Sequence, residues 1–95
     1  MRLEITAQAA QDLRNLHGHG IREYGAAAAD RYLAELFAKF EVIAQWPLAA
    51  RERPNARPPV RLSPQRAHNV LYAIAENTVV VLRAFHHTVN WIDLL

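Results

Sequence analysis

Ninety-five residues with 52% hydrophobic content, three glycines and no cysteine have room for one small core, and they exclude a disordered or collagen-like polymer, a disulfide scaffold and a thiolate metal site. No apolar run approaches the roughly 18 residues a membrane span requires, and the opening MRLEITAQAAQDL lacks the charged-then-apolar order of a secretory leader, so a cytoplasmic location is expected. The net charge is only +2, yet ten of the eleven basic residues are arginine, and Arg51, Arg53, Arg57, Arg61 and Arg66 stand against the single acid Glu52, a basic stretch whose planar forks suit phosphate or carboxylate.

In chain order, Leu3 and Ile5 alternate with Arg2 and Glu4, which predicts a short strand, and Thr6 follows as the N-cap of a helix. Across residues 7–24, Ala9, Leu13, Leu16, Gly20 and Tyr24 fall at helical spacing, with Ala10, His17 and Ile21 widening the stripe. Gly18 and Gly20 each cost about 1 kcal/mol against alanine, so the second half of this helix is weakly encoded. Gly25 marks a turn, and a stronger helix begins in Ala26–Ala29 with Ala29, Leu33, Leu36, Phe40 and Ile43 on one face and Glu35 and Lys39 as an exposed pair. Pro47 ends it at Trp46.

Prolines 47, 54, 58 and 59 then punctuate a loop, and Val60-Arg61-Leu62 reads as a short strand stopped by Pro64. Residues 69–75 and 78–86 are strands by their β-branched and aromatic content, joined at Glu76-Asn77. A helical turn from Val89 to Leu94 closes the chain. The expected architecture is α+β, in the order β-α-α-β-β-β: a helix hairpin packed on a small, mainly antiparallel sheet, in a single domain spanning 1–95.

Several stretches together resemble the ParE branch of the ParE/RelE toxin superfamily: "AAQDL" in the first helix, "EYG" at the turn, "RYLAEL" in the second helix, "WPLAARERPNARPPVRL" through the loop, "HNVLYAI" in a strand and "VLRAFHHTVNW" near the end. The order and spacing of these pieces carry the resemblance, since none is a catalytic signature alone. The chain departs from the family pattern at His19, at Ala50, and at Phe85 to Asn90, where the usual "LH" is followed by a basic and an acidic residue. The resemblance implies the toxin of a type II toxin-antitoxin pair, held inactive by a cognate antitoxin in a hetero-oligomer. It also implies inhibition of DNA gyrase by binding rather than turnover, and no specific DNA binding without the antitoxin. RelE relatives are ribosome-dependent mRNA endonucleases, so a ribonuclease is the alternative, and a degenerate member that only binds antitoxin is a third.

The side chains themselves favour binding. Adjacent strand residues point to opposite faces, so His86 and His87 are expected not to share an ion; no metal and no cofactor is implied. Ser63, His68 and Asp93 lack the sharp turn that exposes a nucleophile. Phosphodiester cleavage needs a base, an acid and cations on the developing charge. Arg61, Arg83, His86 and His87 fit that need loosely, but RelE-type sites use several lysines and a C-terminal tyrosine, whereas here Lys39 is the only lysine and the tail offers Trp91. Arg83, on one strand face with Val81 and Phe85, and with Tyr72 and Arg61 on adjoining strands, is expected to anchor a partner surface rimmed by His86, His87 and Trp91. Tyr32, Phe37 and Trp46, beyond what one helix stripe needs, are expected to meet the antitoxin tail.

Overall fold

A computed structural model describes residues 1–54 and 56–95. The chain runs β1 (Arg2–Ile5), α1 (Ala7–Tyr24), α2 (Ala26–Gln45), β2 (Glu52–Arg53), β3 (Val60–Gln65), β4 (His68–Ala75), β5 (Thr78–His86) and a 3₁₀ turn (Trp91–Leu94). The sheet has the order β1-β5-β4-β3-β2; β1 is parallel to β5 and every other pair is antiparallel. The α+β expectation therefore holds, with one strand more than the sequence predicts. That strand, β2, has only two residues, too few to leave a periodic signature.

Thr6 makes the junction between strand and helix. Its backbone N–H donates to Val81 O (3.1 Å), its hydroxyl donates to Leu82 O (2.9 Å), and the same oxygen caps α1 by accepting from Ala9 N (3.1 Å). The hairpin turns at Gly25, whose φ of +89° is costly for any residue with a Cβ. The two helix glycines do not break α1. A Cβ at Gly20 would stand 3.2 Å from Ala29 Cβ, so this glycine lets the two helices approach closely. Tyr24, the last member of the predicted apolar stripe, is instead 75% exposed at the hairpin tip.

Two apolar clusters hold the sheet. The hairpin supplies Ala9, Leu13, Leu36, Phe40 and Ile43, and the sheet meets them with Val70, Tyr72, Val79, Val81 and Ala84. The second cluster joins Ala56, Val60, Leu71 and Phe85, closed by Leu62, Leu82, Trp91 and Leu94. Burial of each large side chain contributes roughly 1.5–3 kcal/mol, which is why the C-terminal turn stays folded back against the sheet. Asn90 caps that turn by accepting from Ile92 N at 3.2 Å.

Three local expectations are corrected. β3 does not stop at Pro64 but runs to Gln65, with Pro64 opposite Asn69. β2 pairs only Val60 and Arg61, so at Pro64 the outer side of β3 is a free edge that needs no N–H. Glu35 pairs with Arg66 across the fold rather than with Lys39 along the helix. Between β4 and β5 the register slips: Leu71 faces Arg83 while Tyr72 faces Val81, leaving Leu82 as the extra residue of a bulge. Simple alternation therefore fails there, and Val81 and Phe85 belong to different clusters rather than to one face with Arg83. The β4–β5 turn matches its residues: Glu76 and Asn77 have φ of +50° and +62°, as a two-residue hairpin of the primed type demands.

The glycines yield a test. Gly18→Ala should raise stability in urea by up to ~1 kcal/mol, because the added methyl meets nothing closer than the flexible Arg22 tip at 3.6 Å. Gly20→Ala should gain nothing, since the contact with Ala29 opposes the helix propensity. Equal stabilisation by both substitutions would show that close helix packing at Gly20 is unimportant.

Candidate functional site

Arg83 emerges from β5 just past the bulge, where β1 has ended. Its Nε and Nη2 donate to both carboxylate oxygens of Asp12 on α1, at 2.8 and 2.9 Å, and Ala84 N donates to the same carboxylate at 3.0 Å. Both side chains are mostly buried, 24% and 14% exposed. The bidentate bond to Asp12 holds the guanidinium pKa above its usual value. The acceptor that Arg83 requires is thus inside the chain, and the expected partner anchor is a structural tie.

The other arginine candidate is also occupied. Arg61 donates through Nη1 to Ala50 O and approaches Glu52 at 3.5 Å. Tyr72 is 1% exposed, with its hydroxyl donating to Pro47 O at 2.6 Å, and Phe85 is 8% exposed. Both are core residues, because the bulge and the second cluster turn them inward, so neither offers the partner surface expected of it. Trp91 lies half-buried against the same cluster. Phe37 and Trp46 are exposed on α2, Trp46 by 67%. Tyr32 is half-buried, and burial together with Glu35 raises its pKa.

A group of histidines lies where the hairpin crosses the open end of the sheet. Tyr32 Oη donates to Gln65 O at 2.9 Å and stands 2.6 Å from His68 Nδ1, so the hydroxyl accepts the Nδ1–H and leaves Nε2 with its lone pair. The ring of His86 lies edge-on to that of His68 at 5.6 Å, and the His87 ring lies 4.4 Å from His86. The expectation that His86 and His87 diverge is corrected, because His86 is the last β5 residue and the chain leaves the pleat after it. Burial first, then His86, His87 and His19, push the His68 pKa below its usual value. Among the described residues no group of three or more His, Cys, Asp or Glu side chains is placed to hold a metal ion. No described helix is long and apolar enough to cross a membrane.

These residues border a groove of about 740 Å³ between the hairpin and the ends of β4 and β5, with Leu16, His19, Tyr24, Arg31, His68 and His86 among its walls. A smaller groove of about 340 Å³ opens between the helices at Leu13, Leu33 and Phe37. The sequence did not single out Asp12, and it brought up His68 only alongside Ser63 and Asp93. The available signal at Asp12 was an acid beside the apolar stripe of Ala9, Leu13 and Leu16; for His68 no signal linked it to Tyr32, 36 positions away.

Residues 3–91 match the family model of the ParE toxin of the type II toxin-antitoxin system parDE. The chain belongs to the ParE toxin family. Among solved structures, the chain is similar to one described as the chromosomal ParDE TA system from P. aeruginosa, with TM-score 0.79 and 20% identity over 90% of this chain and 95% of that one. At that identity the likeness shows the fold. No curated protein matches the sequence. Within this ParE chain, the Asp12–Arg83 tie and the Tyr32–His68 contact are two of the polar devices that join hairpin to sheet.

Both devices can be tested. Asp12→Ala should cost about 2–3 kcal/mol in denaturant unfolding, because it strands a half-buried guanidinium and the Ala84 N–H; a loss below 0.5 kcal/mol, roughly that of an exposed pair, would reduce the tie to surface decoration. For His68 the folded pKa lies below the unfolded one, so the unfolded chain binds more protons as pH falls through about 6.5. Stability from the neutral ring is fully present above that pH and drains away toward the lowered folded pKa. The melting temperature should fall between pH 7.5 and 5.5, and His68→Gln should flatten the fall; an unchanged slope would assign it to other groups.

Proposed function

We propose that this chain is a toxin neutralised by a cognate antitoxin and that, when freed in the cytoplasm, it inhibits DNA gyrase by binding rather than by turnover. The observation that carries this reading is the occupation of its would-be catalytic cations. Arg83 is committed to Asp12 and Arg61 to Ala50 and Glu52, so neither is free to stabilise a developing phosphorane. A binding toxin does not need them free. The lone lysine, Lys39, lies on α2, far from the tail where RelE-type sites keep catalytic groups.

Antitoxin capture is supported by the hairpin's outer surface. Phe37 is 43% exposed beside the smaller groove, and Val42, Trp46 and Leu48 add exposed apolar area along and beyond the end of α2. Exposed apolar side chains of this size on both sides of α2 offer area for a partner to cover. An amphipathic antitoxin tail laid across the helices covers them, forming the hetero-oligomer. Sequence-specific DNA contact belongs to the antitoxin and not to this chain. His86, His87 and Trp91 remain rim positions for the target, with Arg83 holding their strand rather than touching it.

Pulse-labelling after induction separates the target classes: DNA synthesis should stop first while protein synthesis continues, and purified toxin should inhibit gyrase supercoiling in vitro. An early collapse of translation with cleaved mRNA would overturn the gyrase assignment. Hydrogen exchange of α1 and α2 should slow on adding antitoxin, and Phe37→Asp with Trp46→Asp should weaken that complex by at least tenfold. Exchange protection confined to the sheet would place the antitoxin elsewhere.

A further inference from the structure

The larger groove has an electrostatic imbalance that the toxin reading does not use. Its two acids are already neutralised, Asp12 by Arg83 and Glu35 by Arg66 at 2.8 and 3.1 Å. Arg31, which also lines the groove, has no acidic partner among the described residues. Three imidazoles face the same space: His19 from α1, His68 from β4 and His86 from β5. A concave wall that carries a free guanidinium and protonatable rings, with no uncompensated carboxylate, concentrates anions.

Internal hydrogen bonds occupy Nδ1 of both His68 and His86. His68 Nδ1–H is bound to Tyr32 Oη, so its Nε2 is an acceptor. Thr88 N–H points at His86 Nδ1 at 3.3 Å, and the Thr88 hydroxyl lies 2.8 Å from the same nitrogen, so the neutral His86 ring carries its proton on Nε2 and donates there. Tyr24, 75% exposed at the groove's margin, adds a flat aromatic surface, and Leu16, Ala28 and Ala29 supply apolar wall.

We propose that this groove binds a nucleotide unit, with Arg31 and an imidazole N–H of the histidine group on the phosphate and the base stacked on Tyr24. A free mononucleotide and one residue of a single strand share this chemistry, because stacking and phosphate contact tolerate any sequence. The groups facing the ligand are His19 and Asp12 from α1, Arg31, Tyr32 and Glu35 from α2, Arg66 from the β3–β4 turn, and His68 and His86 with His87 behind them. The acids and Arg66 are paired, so Arg31 and the imidazoles are the groups left to meet an anion.

Heteronuclear NMR of the purified full chain, titrated with 5′-AMP and separately with a short oligo-adenylate at pH 7.5, tests this. Imidazole resonances of His68 and His86 should shift as ligand is added. Arg31→Gln should weaken binding by about tenfold through loss of a charge-assisted contact, and Tyr24→Ala by about fivefold or more through lost stacking; both positions are exposed, and a melting curve for each verifies the fold. Saturation by AMP identifies a free-nucleotide site; shifts from the oligonucleotide alone identify a strand site. No shift with either ligand up to several millimolar, or binding indifferent to Arg31 and Tyr24, overturns the proposal. Gyrase inhibition is measured separately, so failure of one assignment leaves the other standing.

Discussion

The carboxylate of Asp12 does the work that a neighbouring strand would otherwise do. β1 pairs with β5 only from Thr78 to Val81. Beyond that point the outer edge of β5 has backbone groups with no strand beside them, and a buried N–H without an acceptor costs on the order of 1–3 kcal/mol. Thr6 takes Leu82 O, and one turn and a half further along α1, Asp12 takes Ala84 N and the Arg83 fork. The first helix is thereby docked as an edge cover, which also protects β5 from pairing with another chain. The position of α1 fixes that of α2 through Gly20 and Ala29, so the hairpin and both grooves inherit their geometry from this edge.

The bulge at Leu82 is part of the same solution. By inserting one residue it lets Val81 and Ala84 both enter the hairpin core, three positions apart, while Phe85 passes to the second cluster. With regular alternation in place of the bulge, Ala84 would lie on the opposite face from Val81, and Phe85 would share the face of Val81. A bulge next to a site re-aims side chains. Here it brings His86 to the same end of the sheet as His68, its register partner, and sets the two rings edge to face.

Much of the fold was legible. Periodicity found both helices because their apolar positions, Leu13 and Leu36 to Ile43, are also the buried ones, and β-branched runs found β4 and β5 to within a residue. What escaped was non-local. A two-residue strand, a bulge and a proline tolerated at a free edge depend on what lies beside them rather than on local pattern. The site was less legible for the same reason. Alternation placed Arg83 with Val81 and Phe85, and only the docking of α1, 71 positions away, reveals Asp12 as its partner. The requirement that the guanidinium find an acceptor was readable; the identity of the acceptor was not. His86 and His87 were judged by strand geometry that ends at His86 itself.

Committing Arg83 and Arg61 to internal acceptors has a consequence for how a protein of this size meets partners. Its surface retains exposed apolar side chains on α2, unpaired Arg31 and the histidine group, all outside the two cores. Removing a partner therefore uncovers binding groups without stranding a buried charge. An antitoxin at a thousandfold above its Kd would add about 4 kcal/mol to the stability of such a small domain, yet the free chain keeps the Asp12–Arg83 tie and both clusters. A domain that stays folded without a bound partner needs its inward guanidiniums satisfied from within, and Asp12 for Arg83 and Ala50 with Glu52 for Arg61 supply that.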